Sequence, residues 1–93
     1  MEQIAMDRKE LSHLIGKHMK RKGYGLSIDG MIFLVNKNYT IAYAVEHGKG
    51  KAVGISKRNP KDAPDPLIGM RIAAWRALDD VKRKETKMFS VQL

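Results

Sequence analysis

The stretch Met31-Ile32-Phe33-Leu34-Val35-Asn36-Lys37-Asn38-Tyr39-Thr40-Ile41-Ala42-Tyr43-Ala44-Val45 decides the fold. Met31 to Val35 is a continuous apolar run of strand length. Asn36-Lys37-Asn38 carries the side chains of a turn. Tyr39, Ile41, Tyr43 and Val45 then alternate with Thr40, Ala42 and Ala44, the period of a strand. Two strands joined by so short a turn must run antiparallel.

Outward from this pair the same chemistry repeats. His47-Gly48-Lys49-Gly50 turns the chain, and Lys51 to Ser56 reads as a further strand. Gly54 inside it marks a bulge or a close backbone approach. On the other side, Asp29-Gly30 has the form of a two-residue hairpin turn, so Tyr24 to Ile28 reads as a short strand before it. Helices bracket the strands. Over residues 7–22, Leu11, Leu14, Ile15, His18 and Met19 fall at helical spacing. Asp7 with Glu10 forms a capping-box pattern, and Gly23 suits the helix end. Gly16 weakens this helix by about 1 kcal/mol relative to Ala. Asp65 as N-cap and Pro66 at the first position start a second helix, running to about Lys84. Thr86 to Leu93 reads as a final short strand. The expectation is an α+β single domain over residues 1–93. Its antiparallel sheet has three to five strands and is flanked by an N-terminal and a C-terminal helix, in the order α-β-β-β-β-α with a last β.

The chain has 93 residues, with 18 Lys and Arg against 10 Asp and Glu, for a net charge of +8. A domain of this size buries only roughly 60% of its unfolded surface. There is no cysteine, which excludes disulfides, thiolate metal sites and thiol nucleophiles. The apolar runs are too short to span a bilayer. Met1-Glu2-Gln3-Ile4 lacks the pattern of a signal peptide, so a cytoplasmic protein with no membrane partner is expected. The excess charge asks for an anionic partner.

Two features could receive one. Along the second helix, Gly69, Ala73, Arg76 and Asp80 fall on one stripe, opposite an apolar face of Leu67, Ala74, Leu78 and Val81 with Ile68, Ile72 and Trp75 beside it. Small residues admit a backbone or a flat ligand. Arg76 can clamp a phosphate with its planar fork, and Asp80 can accept from a ribose hydroxyl or a base N–H. The stripe equally fits a solvated face with an Arg76–Asp80 pair. Before the helix, Lys57-Arg58-Asn59-Pro60-Lys61-Asp62 leads cations and an amide into a helix N-terminus, an arrangement suited to phosphate. It equally fits a capped, solvated connection. The first helix adds a basic face of Arg8, Lys9, Lys17, Lys20, Arg21 and Lys22. That face suits nucleic acid, and equally a solvated surface.

Other chemistry is sparse. His13 and His18 do not share a helix face, which argues against a zinc site. Asp79 and Asp80 point apart on a helix and cannot act as a catalytic pair. No nucleophile elbow or phosphate-binding loop motif occurs. No enzyme activity, cofactor or metal is expected.

The stretch Gly54-Ile55-Ser56-Lys57-Arg58-Asn59-Pro60-Lys61-Asp62, then Asp65-Pro66-Leu67-Ile68-Gly69, then Ile72-Ala73-Ala74-Trp75-Arg76-Ala77-Leu78, resembles the anti-Thoeris sponge family. These phage proteins bind cyclic ADP-ribose isomers and withhold them from the host's defence effectors. The resemblance implies a non-enzymatic homo-oligomer in the host cytoplasm with a small anionic nucleotide as its ligand. It places Asn59, Arg76 and Asp80 at ligand-contacting positions in a pocket between protomers, with Lys57 and Arg58 neutralising phosphates. Tyr24, Phe33, Tyr39 and Tyr43 are candidates for an aromatic that stacks on the base. The same residues also resemble a small actinobacterial family with a double-stranded-RNA-binding-like fold, linked to ribosome hibernation. That resemblance implies an RNA- or ribosome-binding module instead.

Overall fold

The computed structural model describes residues 2–58 and 65–92, and for residues 86–92 the course of the backbone alone. The element order is β1 (Glu2–Asp7), α1 (Arg8–Lys22), β2 (Gly30–Val35), β3 (Tyr39–Glu46), β4 (Lys49–Lys57) and α2 (Pro66–Gln92). The four strands form one antiparallel sheet in the order β1-β2-β3-β4. The expected α+β class, the antiparallel sheet and the two flanking helices are all present.

One strand lies elsewhere than its local signal suggested. The first strand precedes α1, and Tyr24 to Ile28 is not a strand. Asp29-Gly30 is not a hairpin turn, because Gly30 already pairs with Asp7. A side chain on residue 30 would collide with the Met6 carbonyl oxygen, so the glycine is needed where β2 begins beside the end of β1. Asp29 instead braces the far end of the sheet. Its backbone N–H donates to the Val45 carbonyl at 2.8 Å, and its carboxylate accepts from the His47 N–H at 2.7 Å. Arg8 holds the preceding segment by donating from Nε to the Ile28 carbonyl at 2.7 Å, and the Ile28 side chain is fully buried.

The hairpins follow from their turn residues. Asn36 Oδ1 accepts from the N–H groups of Asn38 and Tyr39, both at 2.8 Å. His47 and Gly48 both adopt positive φ, as a two-residue turn between right-twisted strands requires. Lys51 is the extra residue of a bulge, since Val45 pairs with Gly50 and Ala44 with Ala52.

The helix ends match their chemistry. Asp7 and Glu10 complete the capping box, and Gly23 closes α1 in the left-handed conformation. The backbone of α1 kinks at Ile15, next to Gly16. Asp65 caps α2 by accepting from the Leu67 N–H at 3.0 Å. The strand expected over Thr86–Leu93 is instead helix as far as Gln92. No Gly or Pro follows Gly69 in α2 to stop it, and pairs of Asp80 with Lys84 and Lys82 with Glu85 favour the helical spacing.

Both helices cover one sheet face, and the two halves of that interface are built differently. Under α2, the inward residues of β3 and β4 are small: Thr40, Ala42, Ala44, Ala52, Gly54 and Ser56. The helix answers with Gly69, Ala73, Ala74 and Ala77. The bulk sits beside them, where Leu11, Ile15, Ile28, Met31, Phe33, Met70, Leu78 and Val81 fill the space among α1, α2 and β2. Ala74, Leu78 and Val81 of the expected arc are buried, but the buried face of α2 extends to Ala73 and Ala77 and leaves out the start of the helix. Ala73 is fully buried, while Leu67 and Ile68 are 51% and 48% exposed. Small-on-small packing lets the helix and strand backbones touch, and that contact outweighs the burial of two larger side chains at the helix start.

The helices are also joined by polar contacts. Buried His18 stacks on Trp75 at 5.3 Å and meets the Tyr24 ring edge-on. Its Nε2 lies 3.1 Å from Asp79 Oδ1, and its Nδ1 lies 3.2 Å from Arg21 Nη2. A carboxylate only accepts and a guanidinium only donates, so in this geometry Nε2 faces an acceptor and Nδ1 faces a donor. Tyr24 joins the network. Burial first, then the Asp79 charge and its hydrogen bond, raise the phenol's pKa above the usual value.

Candidate functional site

A shallow groove of about 480 Å³ runs between the edge of β4 and α2. It is lined by Val53, Gly54, Ile55, Arg76, Asp79, Asp80 and Arg83. Gly54 creates it. A Cβ at residue 54 would run into the Ala73 carbonyl oxygen and the Ala77 nitrogen, and would lie 3.0 Å from the Arg76 carbonyl carbon. Of the two readings of Gly54, close backbone approach is the one realised. The helix rests directly on β4, so long side chains on its flank overhang the strand's open edge.

Those side chains are cationic. Arg76 donates from Nη1 to the Ile55 carbonyl at 2.6 Å, and Lys84 donates from Nζ to the Lys51 carbonyl at 3.0 Å. Two carbonyls on the free edge of the sheet are thereby covered, which discourages strand addition there. Asp80 is mostly buried and pairs with Arg83 and, at 3.2 Å, with Lys84. Burial opposes its ionisation, but the hydrogen bonds and charges of Arg83 and Lys84 outweigh it and lower the carboxyl pKa. Lys51, in turn, pairs with Glu46. The shared hydrogen bond holds the Glu46 carboxyl below its usual range and raises the Lys51 ammonium above its own.

Two of the residues expected at a site, Arg76 and Asp80, meet in this groove. Gly69 and Ala73 do not. A Cβ on Gly69 would sit 2.9 Å from Thr40 Oγ1, and Ala73 has no exposed surface. The space these small residues leave is filled by β3 and β4, so the stripe faces the sheet and not a ligand. Lys57 lies at the exposed end of β4, two residues beyond Ile55. Arg58 is tied to the turn between β2 and β3. Its N–H donates to the Asn38 carbonyl at 2.8 Å and its Nη1 to the Lys37 carbonyl at 3.3 Å. Asn59 and the rest of residues 59–64 lie outside the described residues. Asp65 already accepts from an N–H of the α2 terminus, which puts a negative charge where a phosphate was expected.

Among the candidate aromatics, Phe33 is in the core and Tyr24 is packed on His18. Tyr39 and Tyr43 are exposed, on the sheet face away from the helices. Arg83 was not singled out from the sequence, yet it lines the groove with 77% of its side chain exposed. Its spacing held the signal, because Arg76, Asp80 and Arg83 stand at i, i+4 and i+7. Among the described residues no His, Asp and Glu cluster could hold a metal ion, and no helix is long and apolar enough to cross a membrane. Compared with models of known protein families, with curated proteins and with solved structures, the chain shows no match.

Proposed function

We propose that the chain is a non-enzymatic binding protein whose groove between β4 and α2 takes a compact, phosphate-bearing nucleotide. The carrying observation is the pair Arg76 and Arg83 over a groove of about 480 Å³ along the edge of β4 at Val53 to Ile55. That volume lies in the range of small-molecule sites. The two guanidiniums offer planar forks for phosphate oxygens. Asp80 holds Arg83 in place, and Lys57 supplies a further cation along the strand. Following the resemblance, the nucleotide belongs to the cyclic ADP-ribose isomers, Arg58 and Asn59 complete its surroundings, and the protein acts in a phage-infected cell's cytoplasm by withholding the signal from its receptor.

Titration calorimetry with cyclic ADP-ribose isomers tests this. The expected result is saturable binding that falls by about tenfold or more in Arg76→Ala and in Arg83→Ala. Absence of heat with every isomer, at protein concentrations of about 100 µM, overturns it.

A second reading rests on α1. Lys9, Lys17 and Lys20 are all exposed on one side of it, a set of cations suited to an RNA backbone. Duplex RNA binding that weakens steeply with salt, and that is unchanged in Arg76→Ala, favours this reading over the first.

A further inference from the structure

The cations beside β4 extend past the groove and form a row along the strand's free edge. Lys57 is exposed at the end of the strand. Two residues back, Arg76 sits on the Ile55 carbonyl. Arg83 lines the groove at Val53 to Ile55, and Lys84 sits on the Lys51 carbonyl. From Lys57 to Lys51 the strand rises about 20 Å, so the row supplies one cation every few ångströms over that length. Arg76 uses Nη1 on its carbonyl, and among the described residues its Nη2 and Nε donors are left for a ligand. Two strand residues rise about 7 Å, which is close to one phosphate step of an extended single strand of nucleic acid.

One strand further in stand two exposed aromatic rings. The register sets Tyr39 opposite Lys57, Ile41 opposite Ile55 and Tyr43 opposite Val53. Paired residues share a face, and this one points away from the helices. Tyr39 and Tyr43 are 39% and 38% exposed. Four residues separate them along β3, about 14 Å, or two of the same phosphate steps. Between them Ile41, flanked by Leu34 and Ile55, gives an uncharged floor. The rings lie about one strand spacing, roughly 4.8 Å, inward from β4 and its cations.

We infer that this edge and face bind an unpaired strand of nucleic acid. Its phosphates follow Lys57, Arg76, Arg83 and Lys84, and its bases turn inward to stack on Tyr39 and Tyr43. Cations along a backbone track and aromatic rings beside it are the two requirements of single-strand binding, and here both repeat at the strand's own interval. A duplex keeps its bases in its own stack and offers none to the tyrosines. An acidic peptide would satisfy the cations but brings no row of flat rings. The two carboxylates in the groove are already engaged, Asp80 by Arg83 and Lys84 and Asp79 by His18, so neither is left to accept from a ribose 2′-hydroxyl. The track therefore takes RNA and DNA alike. It shares Arg76 and Arg83 with the compact ligand proposed above and goes beyond it, and unlike the α1 surface it takes unpaired bases.

Fluorescence anisotropy with dye-labelled oligothymidylate and oligouridylate of about ten nucleotides tests this. Both should bind, within about fivefold of each other. Affinity should fall with salt at a log–log slope of about −2 to −3, as for phosphate contacts at about −0.7 each. Tyr39→Ala and Tyr43→Ala should each weaken binding by about fivefold or more, whereas Tyr39→Phe and Tyr43→Phe keep the ring and retain it. Both tyrosines are exposed, so these variants fold, and circular dichroism checks that they do. A hairpin duplex should compete at least about tenfold less well. No binding at about 100 µM protein in low salt overturns the inference, as do undiminished binding in both alanine variants and a larger preference for one sugar. Equal competition by the duplex also overturns it and points to α1. The tyrosines lie outside the groove, so calorimetry with compact nucleotides decides that ligand separately, whichever way the oligonucleotides behave.

Discussion

Two glycines show how differently one residue type serves this chain. Gly54 sits under α2 with backbone atoms of Ala73 and Ala77 where a Cβ would go. Gly16 lies in α1 with nothing within 4 Å of that position. Gly54→Ala is therefore expected to destabilise by about 1–3 kcal/mol or more, because helix and strand must move apart. Gly16→Ala is expected to stabilise by about 0.5–1 kcal/mol, through the lower entropy of the unfolded chain and better helix propensity. Urea unfolding of both variants checks the contrast. A neutral Gly54→Ala would mean that the groove does not depend on that contact. From the sequence, Gly54 was legible as either a bulge or a close approach, and the structure realises the second, whereas Gly30 was misleading. An Asp-Gly pair reads the same in a hairpin turn and at the start of a strand, and only the partner strand distinguishes them.

At the scale of elements, α2 is the most informative. Its small residues were visible at the right spacing, but the direction in which they face was not. Helical periodicity ranks arcs by hydrophobicity, and it places Leu67 and Ile68 inside. The sheet beneath offers only small side chains, so the helix turns its alanines inward and leaves those two at the surface. The same packing puts Arg76, Asp80 and Arg83 along the groove. Asp80 is also the element's acid-sensitive point. Its folded pKa lies below the unfolded value near 3.8, so on acidification the unfolded chain takes up the proton first. The stability that Asp80 contributes is present in full above pH 3.8 and is lost as the pH falls through the lower folded value. Urea unfolding of wild type and Asp80→Asn between about pH 6 and 2 should show a gap that closes toward the acid end. A gap that stays constant would show that Arg83 and Lys84 do not set the ionisation of this carboxyl.

At the scale of the whole molecule, β1, α1 and α2 are held to the central hairpins by one continuous core and by the His18–Asp79–Tyr24 network. Trp75 stacks on His18 at the contact of the two helices, so its fluorescence reports that contact. Its urea transition should coincide with the loss of far-ultraviolet circular dichroism in a single two-state step. An earlier fluorescence transition would mean that α1 separates from α2 before the sheet unfolds. The sequence alone determined the class of the fold, both hairpins through β2, β3 and β4 and the caps of both helices. These depend on local spacing and on backbone chemistry, which a linear chain carries in full. The tertiary structure decided the place of the first strand, because Glu2–Asp7 is short and half polar and becomes a strand only by pairing with β2. It also decided which face of α2 is buried, that Gly69 and Ala73 serve the sheet, and that Arg83 joins Arg76 over the groove. Each of these depends on what lies opposite a residue in space. That information is non-local, since it belongs to the fit between two surfaces and not to either segment's own pattern.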